Sequence, residues 1–124
     1  MVLNGIDRIH NFDFLFKGKK LGVITSLSGL SKDFIPSWKI LAERYTVRAL
    51  FAPEHGLYGC ENAGTVWDSE NKSIAGMPLY SLYRQDGQDF KPDTLTDIDT
   101  LVYDIQDVGA RFYTYISTLI LAMR

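Results

Sequence analysis

The sequence predicts an α/β fold, a doubly wound domain with a mostly parallel sheet. Two observations carry that prediction. Three short runs, 20–25, 47–51 and 100–105, are apolar along almost their whole length, as strands buried on both faces of a parallel sheet must be. Helical apolar spacing separates the first two runs and follows the third, so strand and helix alternate along the chain.

The elements read as follows in chain order. Lys20 to Thr25 forms the first strand, ended by the turn-forming Ser26-Leu27-Ser28-Gly29. A helix starts at Pro36, because the fixed φ of proline suits the first helical turn. Ile35, Trp38, Leu41, Ala42 and Tyr45 then recur at three- and four-residue steps as one apolar stripe. Val47 to Phe51 is the second strand, closed by Ala52-Pro53. The stretch from Glu54 to about Gly76 is polar and irregular and is read as a long loop, of the kind that carries function in compact domains. Pro78 to Tyr83 reads as a short edge strand and Pro92 to Ile98 as a brief helix. Thr100 to Ile105 is the third main strand. From Tyr113 to Arg124 a helix places Ile116, Leu119, Ile120 and Met123 on one face. It lacks a C-terminal glycine, a following proline or a polar exit, and its apolar face calls for a wider sheet. Residues 1–124 are therefore expected to be the N-terminal part of a larger α/β domain, cut after the third main strand and its helix.

Composition excludes several classes. With 46% hydrophobic and 23% charged residues among 124, the chain matches one soluble globular domain at most and not a disordered tail. A balance of 13 basic against 15 acidic side chains, net −2, lacks the basic excess of a nucleic-acid binder. No apolar run approaches the roughly 18–20 residues that span a bilayer. The first residues lack the basic start and apolar core of a signal peptide. A cytoplasmic location is expected, or a periplasmic or secreted one if residues precede Met1. The single cysteine, Cys60, excludes an internal disulfide and a multi-thiolate zinc site.

In an open parallel sheet, ligands bind beyond the carboxyl ends of the strands, where the strand order reverses. With the first strand between the other two, three loops meet there: 25–29, 53–59 and 104–115. Glu54 and His55 sit in the second; Asp104, Gln106, Asp107, Arg111, Tyr113 and Tyr115 in the third. Glu54 follows a proline at a strand end, and a carboxylate beside apolar groups can act as a general acid. Equally, it can tie down the loop through backbone N–H groups. His55 is a candidate base or loop-stabilising partner, and without a second histidine nearby it is a weak metal ligand. Asp104 ends a buried strand and needs a partner, for which the planar fork of Arg111 is suited; Asp107 competes for the same arginine. Tyr113 and Tyr115 offer flat faces for sugar rings or serve as core aromatics. Gly109 permits close backbone approach. Gly18-Lys19-Lys20 precedes a strand and is no phosphate loop, and neither G-x-G-x-x-G nor G-x-S-x-G occurs. No cofactor or metal is expected.

Several segments together resemble a known family. Leu50-Phe51-Ala52-Pro53-Glu54-His55-Gly56-Leu57-Tyr58-Gly59 is similar to its F-x-P-E-H-G-x-x-G signature, followed by the matching Ala63-Gly64. Met77-Pro78-Leu79-Tyr80-Ser81-Leu82-Tyr83 is similar to its P-V-Y-S-L-Y strand, and residues 104–115 reproduce D-I-Q-D-V-G-A-R-F-Y-T-Y. The family is the NamZ-type exo-β-N-acetylmuramidases, glycoside hydrolase family 171, formerly a domain of unknown function. The resemblance covers nearly the whole chain from Gly5 but only the first portion of a typical member, which adds a second domain.

The resemblance implies a Rossmann-like, three-layer catalytic domain that releases terminal β-linked N-acetylmuramic acid from the non-reducing ends of peptidoglycan fragments. Its implied partner is thus a small sugar or muropeptide, with no nucleic acid and no membrane span. On the matching motifs, Glu54 becomes the catalytic carboxylate, with His55 beside it. Thr25, Gln106, Asp107, Arg111, Tyr113 and Tyr115 become cleft residues, supported by Asp104, Gly56 and Gly109. The lactyl carboxylate of muramic acid gives Arg111 a plausible role. Two positions depart from the family: Ser26-Leu27-Ser28 stands where N-P-T is usual, and Arg84 where glycine is usual. These departures favour another reading, a muropeptide- or carbohydrate-binding module without catalysis; a truncated, inactive fragment is a further alternative. A metal-dependent hydrolase built on His55 and Asp104 or Asp107 ranks last.

Overall fold

A computed structural model describes residues 2–66, 72–84, 87–88 and 90–124. A 3-10 helix, Gly5–Phe12, and one turn of α-helix, α1 (Asp13–Phe16), lead into β1 (Lys20–Thr25). Helix α2 (Ser37–Arg44) connects to β2 (Thr46–Ala52), and β3 (Ser73–Ile74) and β4 (Met77–Ser81) follow. A two-stranded ribbon, β5 (Tyr83–Arg84) and β6 (Gly87–Gln88), and a 3-10 turn, Pro92–Leu95, lead to β7 (Thr100–Asp104) and α3 (Tyr115–Ala122).

The main sheet has the order β3-β4-β2-β1-β7. Strands β4, β2, β1 and β7 are parallel, and β3 alone runs against its neighbour. The three main strands therefore lie as expected, with β1 between β2 and β7. Side chains alternate across the sheet as the pleat requires. Val23, Leu50, Ala52, Leu79 and Val102 face one core cluster, and Ile24, Ala49, Phe51, Tyr80, Leu101 and Tyr103 face the other. Trp38, Leu41 and Ala42 of α2 cover the first face together with Ile6 and Ile9. Those two isoleucines fall three apart, the spacing that aligns side chains on a 3-10 helix. Leu95, Ile98 and Ala122 cover the second face. Helical segments on both faces make the α/β layering plain.

The second face explains a glycine inside β1. A Cβ at Gly22 would stand within 2.9 Å of the side chains of Leu101, Ile98 and Phe51, so the sheet packs there against the missing side chain.

Two expectations need correction. Pro78 does not sit on the sheet edge: β3 pairs outside β4, through Ser73 with Pro78 and Ile74 with Met77. The long loop from Glu54 is interrupted by β3, and its stretch 67–71 lies outside the described residues. The apolar face of the last helix, for which a wider sheet is expected, is left largely uncovered. Thr118 is the buried residue of α3, whereas Ile116 and Ile120 are each 48% exposed and Met123 is 79% exposed. Among the described residues no helix is long and apolar enough to cross a membrane.

Candidate active site

The chain passes from β1 outward to β2 and β4, then crosses back to β7 on the other side of β1. The order reverses at β1, and the crevice beyond its carboxyl end is the favoured place for a ligand. An open cleft of about 430 Å³ lies there. The 25–29 loop contributes Ser26, Leu27 and Ser28; the turn after β2 contributes His55, Gly56 and Gly59; the segment after β7 contributes Gln106, Val108, Tyr113 and Tyr115. Apolar and aromatic walls with a few polar groups suit a small organic ligand.

The loop after β1 is held by its own serines. Ser26 and Ser28 hydroxyls lie 3.0 Å apart, and the backbone N–H of Gln106 donates to Ser28 Oγ at 3.0 Å. Two serines thus join the first and third loops. Thr25 is fully buried, and its hydroxyl donates to the Asp104 carbonyl at 3.0 Å. Its side chain clasps β1 to β7 beneath the cleft and does not line it. Gly29 is indispensable to that clasp, since a Cβ there would come within 2.2 Å of Thr25 Oγ1.

After β2 the chain turns sharply, with the Gly56 N–H donating to the Pro53 carbonyl at 3.0 Å. His55 occupies the third position of this turn at φ +73°, where turns of type II place glycine. A histidine in the left-handed region is held there by its surroundings. Its Nδ1 lies 3.0 Å from the Glu61 carbonyl. A carbonyl only accepts, so Nδ1 carries the hydrogen and, in the neutral ring, Nε2 is left as an acceptor. The Glu61 N–H returns a hydrogen bond to the His55 carbonyl at 3.2 Å.

Glu54 is half-buried and both its oxygens are engaged. The Gly64 N–H donates to Oε1 at 2.9 Å and the Thr114 hydroxyl to Oε2 at 2.9 Å. The first bond ties down the loop; the second joins β2 to the start of α3. Glu54 does not line the cleft but stands at its edge near Tyr115. Burial raises the Tyr115 phenol above its ordinary value, with the charges of Tyr113 and Glu54 adding to the effect. The Tyr113 and Tyr115 rings meet edge to face at 5.7 Å.

The third loop departs from the expected clamp. Arg111 is exposed and forms no ion pair with Asp104, Asp107 or any other described residue. Asp107 Oδ1 instead accepts the Gly109 N–H at 2.7 Å, while Asp104 Oδ2 and Asp107 Oδ2 are buried without a hydrogen-bond partner. Gly109 has φ +71°, and a Cβ there would meet nothing within 4 Å. It is needed for its backbone conformation, not for close approach. Tyr103 donates to the Tyr115 carbonyl at 3.0 Å, anchoring α3 to β7, and burial pushes its phenol up to about 12. No group of three or more metal-ligating side chains is found among the described residues. Cys60 is exposed.

The structure therefore gathers His55, Gly56, Gln106, Tyr113 and Tyr115 around one cleft, with Glu54 at its edge. Sequence reasoning missed Thr114, Gly64, Ser28 and Val108. Thr114 stands inside the F-Y-T-Y segment, where its neighbours drew attention first. Gly64 was visible only as part of an Ala-Gly step.

Comparison with known proteins bears on this arrangement. The family described as "Exo-beta-N-acetylmuramidase NamZ, N-terminal" matches residues 21–124. The peptidoglycan beta-N-acetylmuramidase NamZ of Bacillus subtilis (strain 168) is 41% identical over 98% of this chain. A crystal structure of a DUF1343 family protein from Bacteroides fragilis superposes with a TM-score of 0.80 at 40% identity, and a second from the same organism with 0.71 at 28%; each match covers 98% of this chain. The chain spans 30% of the length of each of these proteins. On the family match and the extent of shared fold, the chain belongs to the family of the NamZ exo-β-N-acetylmuramidase N-terminal domain.

Proposed function

We propose that the chain supplies the acid/base carboxylate of an exo-acting glycosidase that releases terminal β-linked N-acetylmuramic acid from peptidoglycan fragments. The observation that carries this reading is Glu54, held through both oxygens at the edge of a cleft walled by Tyr113 and Tyr115. The sugar ring lies against the tyrosines, and the glycosidic oxygen stands at the edge beside Glu54. In hydrolysis the bond between the anomeric carbon and that oxygen breaks. The leaving oxygen takes the proton of Glu54, and water supplies a hydroxyl to the anomeric carbon. The proton shed by the water restores Glu54 in net turnover. His55 Nε2 accepts a hydrogen bond from a sugar hydroxyl or from the water, and exposed Arg111 is available for the lactyl carboxylate. Asp107, on the loop after β7, is the candidate for a second carboxyl group.

We further infer that residues 1–124 form the front part of the catalytic domain. The exposed apolar face of α3 and the outer edge of β7, which among the described residues pairs only with β1, support this reading.

The test is hydrolysis of a chromogenic β-N-acetylmuramide by the full-length protein. Glu54→Gln is expected to lower kcat by about 100-fold or more, the usual range for removing a general acid. Near-wild-type turnover by that variant would show that another group does the chemistry. Muropeptide binding without turnover by the wild type would point to a binding module.

A further inference from the structure

The geometry points to Thr114 as a positioning residue for Glu54: its hydroxyl holds Oε2 as the proton-carrying oxygen through both protonation states. This rests on the assignment of Glu54 as the acid/base group.

The two donors on Glu54 are chemically unequal. At Oε1 the partner is the backbone N–H of Gly64, 2.9 Å away. A backbone N–H only donates, so a proton placed on Oε1 would leave that oxygen a much poorer acceptor and weaken the bond. At Oε2 the partner is the Thr114 hydroxyl, also at 2.9 Å. A hydroxyl donates to a carboxylate and, after rotation, accepts from a carboxylic acid. Oε2 is therefore the oxygen on which a proton can reside without losing either hydrogen bond. For transfer the proton turns about the Cδ–Oε2 bond from Thr114 Oγ1 toward the glycosidic oxygen. It passes to that oxygen as the bond to the anomeric carbon breaks, and the Thr114 hydroxyl turns back and donates to the new carboxylate. No heavy atom has to move.

Thr114 is placed for this role at the expense of a common local one. It is the residue that precedes the first turn of α3, where a threonine hydroxyl ordinarily accepts from the helix's own free N–H groups. It makes no such bond; its hydroxyl reaches a carboxylate 60 residues away in sequence. The backbone behind it is fixed from two sides. The Thr118 N–H donates to the Thr114 carbonyl at 3.1 Å and the buried Thr118 hydroxyl at 3.3 Å. Next along the chain, the Tyr115 carbonyl accepts from Tyr103 in β7. The hydroxyl is thus presented from a helix start locked to the sheet, as a preorganised catalytic contact requires.

The experiment compares Thr114→Val and Thr114→Ser in the full-length protein on a chromogenic β-N-acetylmuramide. Valine keeps the branched shape without the hydroxyl; serine restores the hydroxyl. Thr114→Val is expected to lower kcat about 10- to 100-fold with KM within about twofold, because the hydroxyl acts on the acid and not on the bound sugar. Thr114→Ser should return kcat to within about threefold of wild type. Wild-type kcat in Thr114→Val, a loss that serine does not restore, or a rise in KM that matches the fall in kcat overturns the role of Thr114 and leaves Glu54 standing. An inactive wild type, or full activity in Glu54→Gln, overturns the assignment of Glu54 and this role together.

Discussion

His55 shows how one residue can carry two separable costs and benefits. Its positive φ is unfavourable for any residue with a Cβ, while its ring bonds the Glu61 carbonyl and lines the cleft. Replacing it by alanine or by glycine removes the ring equally, so the difference between the two variants isolates the backbone. His55→Ala is expected to be less stable than His55→Gly by about 1 kcal/mol, the usual penalty of a Cβ in the left-handed region. Urea unfolding of the two variants measures that gap, and equal stabilities would mean the turn relaxes once the ring is gone. Glu54, one position earlier, has neither a positive φ nor a neighbouring ion pair to mark it. Its distinction lies in the two donors brought to its oxygens from residues 64 and 114.

Strand β7 and helix α3 act as one unit through Tyr103, and that unit responds to alkali. The Tyr103 hydroxyl donates to the Tyr115 carbonyl, and the folded state keeps it protonated up to about 12 against an ordinary 10.0. A raised folded value means the contribution to stability is complete below about 10 and is lost as the pH rises through about 12. The stability of the wild type relative to Tyr103→Phe should therefore be constant at neutral pH and shrink across that window. Urea unfolding at a series of pH values checks this, and a gap that does not change with pH would remove Tyr103 from the titration. At the opposite end of the sheet edge, Asp97 pairs with Lys20 of β1 and Arg48 of β2. The hydrogen bond from Lys20 holds its carboxyl below the ordinary value, with the charges of Arg48 and Lys20 adding to it. This exposed cluster is screened by water and salt and contributes little beside the buried strands.

Apolar surface is unevenly covered across the protein. The two faces of the sheet are packed, yet Phe112 is 84% exposed and the outward side of α3 carries Ile116, Ile120 and Met123. A contiguous apolar surface of this kind ordinarily marks contact with further protein. The isolated 124-residue chain is expected to bind a hydrophobic dye, and paired Ile116→Asp and Ile120→Asp substitutions to reduce that binding. The full-length protein should bind little. A sharp, cooperative, monomeric melt of the isolated chain without dye binding would show that residues 1–124 are complete as a domain.

The order of strands and helices was legible in the residues because period and turn chemistry are local. The uninterrupted apolar runs of β1, β2 and β7 and the stripe of α2 state their own burial. The three loops around the cleft followed from that topology alone. Who touches whom did not follow. Arg111 is the natural partner for Asp104 by charge, but the turn at Gly109 leaves it outward and lets a backbone N–H take Asp107 instead. Nothing in the sequence singles out Thr114 until the fold brings Glu54 within 2.9 Å of its hydroxyl. Hydrogen bonds are short and directional, so partners from distant segments are chosen by the packing that sets their approach, and only the assembled sheet, turn and helix could decide them.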